Sequence, residues 1–220
     1  MKKQLLTVGD SFTYGDELGD IYQAWPYKLA DYIGHEVHNL GQSGCSNSSI
    51  LRRTLEELAC NTYDLVVVGW TSPGRIEWKD DLGVAYNVWP GFQTCGKFLE
   101  HHPWRAALVE YISQYHCSEY LYQQYLVQVL SLQAYCKVNN IKLLMLNVKQ
   151  NDYYRSVGAE QHDNLGCQID TNTFIGYKQF GMVELTKDCP KAPNGHPLEL
   201  GHQKIAERIN DHIRNFSRVS

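Results

Sequence analysis

Apolar residues fall along the chain in two alternating rhythms. Short segments at Leu5 to Gly9, Val37 to Leu40, Asp64 to Gly69 and Ile141 to Val148 read as strands, the clearest being Asp64 to Gly69, whose unbroken β-branched run suits burial on both faces of a sheet. Between them, apolar positions recur at three- and four-residue steps, the spacing of one helix face. Trp25, Leu29, Tyr32 and Ile33 form one such face, with Pro26 in the first turn and Gly34 as the stop. Ile50, Leu51, Leu55 and Leu58 form a second, capped by Ser46 or Asn47. Residues 104–138 read as mostly helical, with Leu121, Tyr125 and Val129 beside Tyr122, Leu126 and Leu130, and a break near Ser118. Ile205, Ile209, Ile213 and Phe216 define a last amphipathic helix. This alternation predicts an α/β layer fold with a largely parallel sheet, and the Leu65 to Val68 run should lie at its centre.

Two stretches break the rhythm. Residues around 75–104 carry Trp78, Tyr86, Trp89, Phe92 and Trp104 among Gly and Pro, and residues around 150–190 are polar and irregular. Both are expected to be loop insertions above the sheet that wall a site. No internal repeat or linker divides the chain, so residues 1–220 read as one domain.

Composition narrows the function. With 220 residues, a net charge of −4 and a pI near 6.1, the chain lacks the basic field of a nucleic-acid binder. A mean hydropathy of −0.41 and the absence of a long apolar run argue against a membrane protein. Only four apolar residues precede Gly9 and Asp10, too few for a secretory signal, so a cytoplasmic location is expected. The seven cysteines are widely spaced without a Cys-x-x-Cys pair, which reads as reduced and mostly buried thiols. Cys95, His101 and His102 lack a second ligand pair, and no phosphate-cradling glycine motif is present, so neither a metal nor a cofactor is expected.

Gly9-Asp10-Ser11 stands where the first strand gives way to a helix, the end of a parallel sheet at which ligands bind. By itself the tripeptide reads as ordinary turn chemistry. A serine hydroxyl becomes a nucleophile only when a base takes its proton, and His196, in the turn-rich segment Asn194-Gly195-His196-Pro197 before the last helix, is the candidate base. His202 lies on that helix and reads as a structural hydrogen-bonding residue. Acyl transfer further needs donors for a developing oxyanion. Gly44, after the second strand, can present a backbone N–H, and Thr71 or Arg75, after the third, can add a hydroxyl or a guanidinium. Asp10 and Asp16 read as structural, one in the turn and one as a loop anchor.

With these blocks in order, the chain resembles the SGNH (GDSL-type) hydrolases. Gly9-Asp10-Ser11-Phe12-Thr13-Tyr14-Gly15 is similar to the nucleophile block, Asn39 to Asn47 to the second, Gly69 to Ser72 to the third, and His196-Pro197 through Gly201-His202 to the last. The resemblance implies a three-layer α/β/α sandwich with a parallel, flavodoxin-like sheet of about five strands. It further implies Ser11 as nucleophile, His196 as base, and Ser11 N–H and Gly44 N–H as oxyanion donors. Two positions depart from the pattern. Thr71 stands where the family carries an Asn that donates to the oxyanion, and Pro193 stands where it carries the Asp three residues before His. The site is then a Ser-His dyad, or the imidazole is held by a main-chain carbonyl, or Asp188 reaches it from the preceding loop.

The expected function is that of a serine esterase hydrolysing a carboxylic ester through an acyl-enzyme. The partner is a small-molecule or glycan ester, with an O-acetyl group on a carbohydrate favoured by the aromatic insertion, although aromatics at this density serve equally as packing. Two alternatives use the same fold. One is a catalytically degenerate module that binds a glycan or a protein, and the other is an acyltransferase working through the same residues.

Overall fold

The computed structural model describes residues 2–79, 85–88, 107, 110–111, 118–150 and 164–216. Its main sheet has five parallel strands: β1 (Lys3–Gly9), β2 (His35–Gly41), β3 (Leu65–Trp70), β6 (Leu143–Asn147) and β7 (Phe174–Ile175). They lie in the order β2-β1-β3-β6-β7. The strand order reverses direction between β1 and β3, and that switch point is where open α/β sheets hold their ligands.

Successive side chains of a strand face opposite layers, so a strand buried on both faces must be apolar throughout. Every residue of β3 is buried. Val66 and Val68 point into one core with Leu6, Val8, Ile50, Tyr125 and Val129, whereas Val67 points into a second with Leu5, Trp25, Leu29, Leu144, Ile205 and Ile209. The first core is closed by α3 (Asn47–Cys60) and α4 (Ser118–Val138), and the second by α2 (Trp25–Ile33) and α6 (Glu199–Phe216). These are the three expected layers. Within α2, Trp25 and Leu29 are fully buried but Tyr32 is 40% exposed, which narrows the face read from the sequence.

The two irregular stretches are not plain loops. The first contains β4 (Ile76–Lys79) and β5 (Ala85–Val88), paired antiparallel as a separate two-stranded sheet. The second contains β7, the fifth strand of the main sheet, and the short helix α5 (Met182–Leu185). Two residues are too few to show a period of two, so β7 carries no pattern signal; Met145 N–H to the Thr173 carbonyl, 2.7 Å, ties it on. Trp89, Phe92 and Trp104, with Cys95, His101 and His102, lie outside the described residues. Among the described cysteines, all free, Cys45, Cys136 and Cys189 are buried and Cys60 and Cys167 exposed.

His202, on α6, is fully buried and accepts the Trp25 N–H at 3.1 Å. Trp25 opens α2, whose preceding residue Ala24 offers no side-chain cap, so the imidazole satisfies an amide left open at that helix start. Burial, with the charges of Lys28 and His196 adding to it, pushes the pKa of His202 down to about 4.

Candidate active site

Three loops meet at the carboxyl ends of β1, β2 and β3. After Gly9, Asp10 caps the single turn α1 (Ser11–Tyr14) by accepting the Phe12 N–H at 3.0 Å, which places Ser11 at the first helical position. Close packing of this turn on the sheet requires glycine at Gly41, where a Cβ would lie 2.3 Å from Tyr14 N and 2.6 Å from the Thr13 carbonyl carbon. Asn39 reinforces the contact by donating to the Thr13 carbonyl at 3.0 Å while accepting the Thr7 hydroxyl and Gly41 N–H. Asp16 accepts the Ser43 hydroxyl, the loop-anchoring contact expected of it.

The loop after β2 carries Gly44 in the left-handed region, φ 73°, where glycine meets no Cβ penalty. Neither Gly44 N–H nor Ser11 N–H donates to another group among the described residues. After β3, Thr71 is pinned through its main chain. Asn47 accepts Thr71 N–H at 2.8 Å and donates to the Thr71 carbonyl at 3.0 Å.

His196 sits on a tight loop closed by a bridge between Lys191 and Pro197 and by Ala192 N–H to the His196 carbonyl, 2.9 Å. Gly195 turns this loop at φ 88°. The His196 ring lies edge-on to Phe12, centroids 5.5 Å apart, and so stands beside the residue that follows Ser11. No direct hydrogen bond joins the Ser11 hydroxyl to the imidazole in this structure.

A carboxylate does hold the ring, and it comes from Glu17. His196 Nδ1 donates to Glu17 Oε2 at 2.6 Å, and Glu17 Oε1 accepts both the main-chain and side-chain N–H groups of Asn194 at 3.2 and 3.0 Å. A carboxylate accepts only, so Nδ1 carries a proton, and in the neutral tautomer this contact selects the lone pair lies on Nε2. Hydrogen bonding from His196 lowers the Glu17 pKa, with Asn194 adding to it. Glu17 adopts φ 66°, a left-handed conformation that a non-glycine residue keeps only where its surroundings enforce it, and such positions concentrate at functional sites.

Three further candidates lie as follows. Asp188 is exposed and makes no hydrogen bond to His196, whose carboxylate partner is Glu17 from the loop after α1. The Thr71 hydroxyl donates to Asp10 Oδ2 at 2.6 Å, which commits its single proton away from an oxyanion. Arg75 Nη1 points to Asp10 Oδ2 and the Cys45 carbonyl, each at 3.3 Å. Glu17 escaped the sequence reading. Its available signal was an acidic loop, Asp16 to Asp20, directly after the nucleophile block of a chain with Pro193 in place of the usual carboxylate.

Among the described residues, no cluster of three or more His, Cys, Asp or Glu is arranged to hold a metal ion, and no helix is long and apolar enough to cross a membrane.

Solved structures share this architecture. The chain is similar to TesA (TM-score 0.56, 15% identity, covering 97% of this chain and 99% of that one). It is similar to the esterase EstA from Pseudoalteromonas sp. (0.55, 13%, 98% and 99%). It is also similar to the acetyl xylan esterase Est2A from the rumen bacterium Butyrivibrio proteoclasticus (0.52, 13%, 97% and 63%). The fold is that of the SGNH hydrolases, with the five-stranded parallel sheet and flanking helices described above. The chain belongs to the Family of unknown function (DUF6071), which matches residues 16–220 and so takes in Glu17, Gly44, Thr71 and His196. No curated protein matches it in sequence.

Proposed function

We propose that this protein is a serine esterase that cleaves a carboxylic ester through an acyl-enzyme, with Ser11, His196 and Glu17 as its triad. The observation that carries the reading is the 2.6 Å bond from His196 Nδ1 to Glu17, because it sets the tautomer a general base needs on the loop beside Ser11. In the acylation step the Ser11 hydroxyl attacks the ester carbonyl while His196 Nε2 takes its proton. The oxyanion accepts from Ser11 N–H and Gly44 N–H, neither of which donates elsewhere among the described residues. Collapse returns the proton to the leaving alcohol, and water repeats the sequence to release the acid. Glu17 stays ionised throughout and stabilises the imidazolium.

For the substrate, an O-acetyl group on a carbohydrate fits best. Est2A is an acetyl xylan esterase, and Tyr14 and Tyr22 lie close in sequence to Ser11 and Glu17 with 47% and 68% of their surfaces exposed, apolar rings of the kind that stack on sugars.

The test is labelling with an ethylphosphonate ester, a probe suggested by EstA, which was solved inhibited by monoethylphosphonate. One adduct per chain, located on Ser11 by mass spectrometry and lost in Ser11→Ala together with turnover of p-nitrophenyl acetate, is the expected result. An unlabelled protein that still binds acetylated xylo-oligosaccharides would instead identify a binding module. Transfer of acetyl to a sugar acceptor in preference to water would identify an acyltransferase.

A further inference from the structure

Next to the candidate Ser11 amide in the chain stands a buried carboxylate that the proposed mechanism does not use. Asp10 is 1% exposed, and it directly precedes Ser11 in the chain. Its Oδ1 accepts the Phe12 N–H, and its Oδ2 accepts the Thr71 hydroxyl and Arg75 Nη1. A carboxylate out of water beside a developing oxyanion opposes it, since like charges repel strongly at low dielectric. Arg75 answers that charge. It is 22% exposed, and the nitrogen that meets Asp10 also donates to the Cys45 carbonyl, one residue beyond Gly44. One guanidinium nitrogen therefore links the loop that supplies the Ser11 amide to the loop that supplies the Gly44 amide.

We propose that Arg75 is a positioning residue of the esterase, cancelling the field of Asp10 at the oxyanion and fixing the Gly44–Cys45 backbone against the nucleophile turn. The inference rests on the esterase reading for its catalytic part. The titratable groups whose charge acts on Asp10 are the Arg75 guanidinium, the His196 imidazole and the Cys45 thiol. Burial raises the Asp10 pKa, and Arg75 is foremost among the groups that pull it back.

The test is a cycle of Arg75→Met, Asp10→Asn and the double variant, with Arg75→Lys beside it. Asn caps a helix as well as Asp, keeps its oxygen for Phe12 N–H and turns its amide N–H towards the Thr71 hydroxyl oxygen, so Asp10→Asn removes the charge while both neighbours keep a partner. R75M is expected to lower Tm and to reduce kcat on p-nitrophenyl acetate about 10- to 100-fold with KM changed less than about twofold. Its acid limb of kcat/KM moves to higher pH, R75K retains more kcat than R75M, and adding D10N to R75M restores most of the lost Tm and kcat. An R75M protein with full kcat, or a double variant no better than R75M in Tm and kcat, overturns the inference. Absence of turnover and of Ser11 labelling in the unmodified protein defeats the esterase reading instead. The Tm cycle still decides then whether Arg75 offsets the Asp10 charge, and independence of the two substitutions in Tm refutes that pairing.

Discussion

Glu17 and His196 lie 179 residues apart in the chain and meet through a 2.6 Å hydrogen bond. The carboxylate that orients the base thus comes from the loop following the nucleophile turn, not from the loop that bears the histidine. The expected consequence is that Glu17→Gln, which keeps the size of the side chain but not its charge, lowers kcat about 10²- to 10⁴-fold with KM nearly unchanged. Neutralising the corresponding Asp costs about 10⁴ in a serine protease. Asp188→Asn, on an exposed residue away from the ring, should leave kcat within about twofold. Steady-state kinetics on p-nitrophenyl acetate separates the two, and equal losses would remove Glu17 from the triad.

Thr71 provides a second contrast. Its hydroxyl supplies Asp10 with a 2.6 Å hydrogen bond at a site 3% exposed, so Thr71→Val leaves a buried carboxylate short of one donor. A cost of about 1–3 kcal/mol in stability is expected, read as the midpoint of urea unfolding. Asp10→Asn, which no longer buries a charge, should recover part of the loss when combined with Thr71→Val, and a simple sum of the two effects would show that the hydroxyl and the carboxylate act independently.

His202 makes stability depend on pH. Its folded pKa, about 4, lies below the ordinary histidine value of 6.5 in the unfolded chain, so the unfolded state binds more protons between these limits. Its contribution is complete above pH 6.5, declines as pH falls from 6.5 towards 4, and levels off below that. The full decline is on the order of 3 kcal/mol. His202→Gln, whose amide oxygen can take over the Trp25 N–H, should flatten this segment of the stability profile. The check is urea midpoints at intervals between pH 4 and pH 7, and a slope unchanged in the variant would assign the pH dependence to other groups.

What the sequence displays about this fold depends on the length of each signal. β3 and β6 are buried throughout, and their apolar runs are visible in the order of residues. The helices α2, α3 and α6 show their inward faces because one turn repeats within the next. β7 has two residues and borrows its place from β6, and the β4–β5 hairpin is hidden among aromatics that read equally as loop. The site divides in the same way. Ser11, Gly44 and His196 sit in local motifs of several residues, whereas the Glu17 contact arises only when α1 and the 191–197 loop are folded against each other. Thr71 and Arg75 were legible as polar residues at the right strand end, but the choice of Asp10 as their partner is a matter of three-dimensional direction.

Gly41 offers the sharpest test of how the sheet positions the nucleophile. It ends β2 in register with Gly9, and its α-carbon faces the main chain of Thr13 and Tyr14 with no room for a methyl group. The atoms a Cβ would strike, Tyr14 N at 2.3 Å and the Thr13 carbonyl carbon at 2.6 Å, belong to backbone and cannot swing aside as a side chain would. Gly41→Ala must therefore push α1 away from the sheet and carry Ser11 with it, at a cost of about 1–3 kcal/mol in stability. Displacing a reacting group by about 1 Å is enough to lose about 10² in rate, so kcat should fall further than the change in Tm suggests. Gly34, with φ 68° and open space around it, is the control: Gly34→Ala carries only the backbone penalty of about 1 kcal/mol and should leave kcat on p-nitrophenyl acetate unchanged. If the two substitutions lower Tm equally and neither affects kcat, the close approach of β2 to the nucleophile turn has no part in setting the position of Ser11.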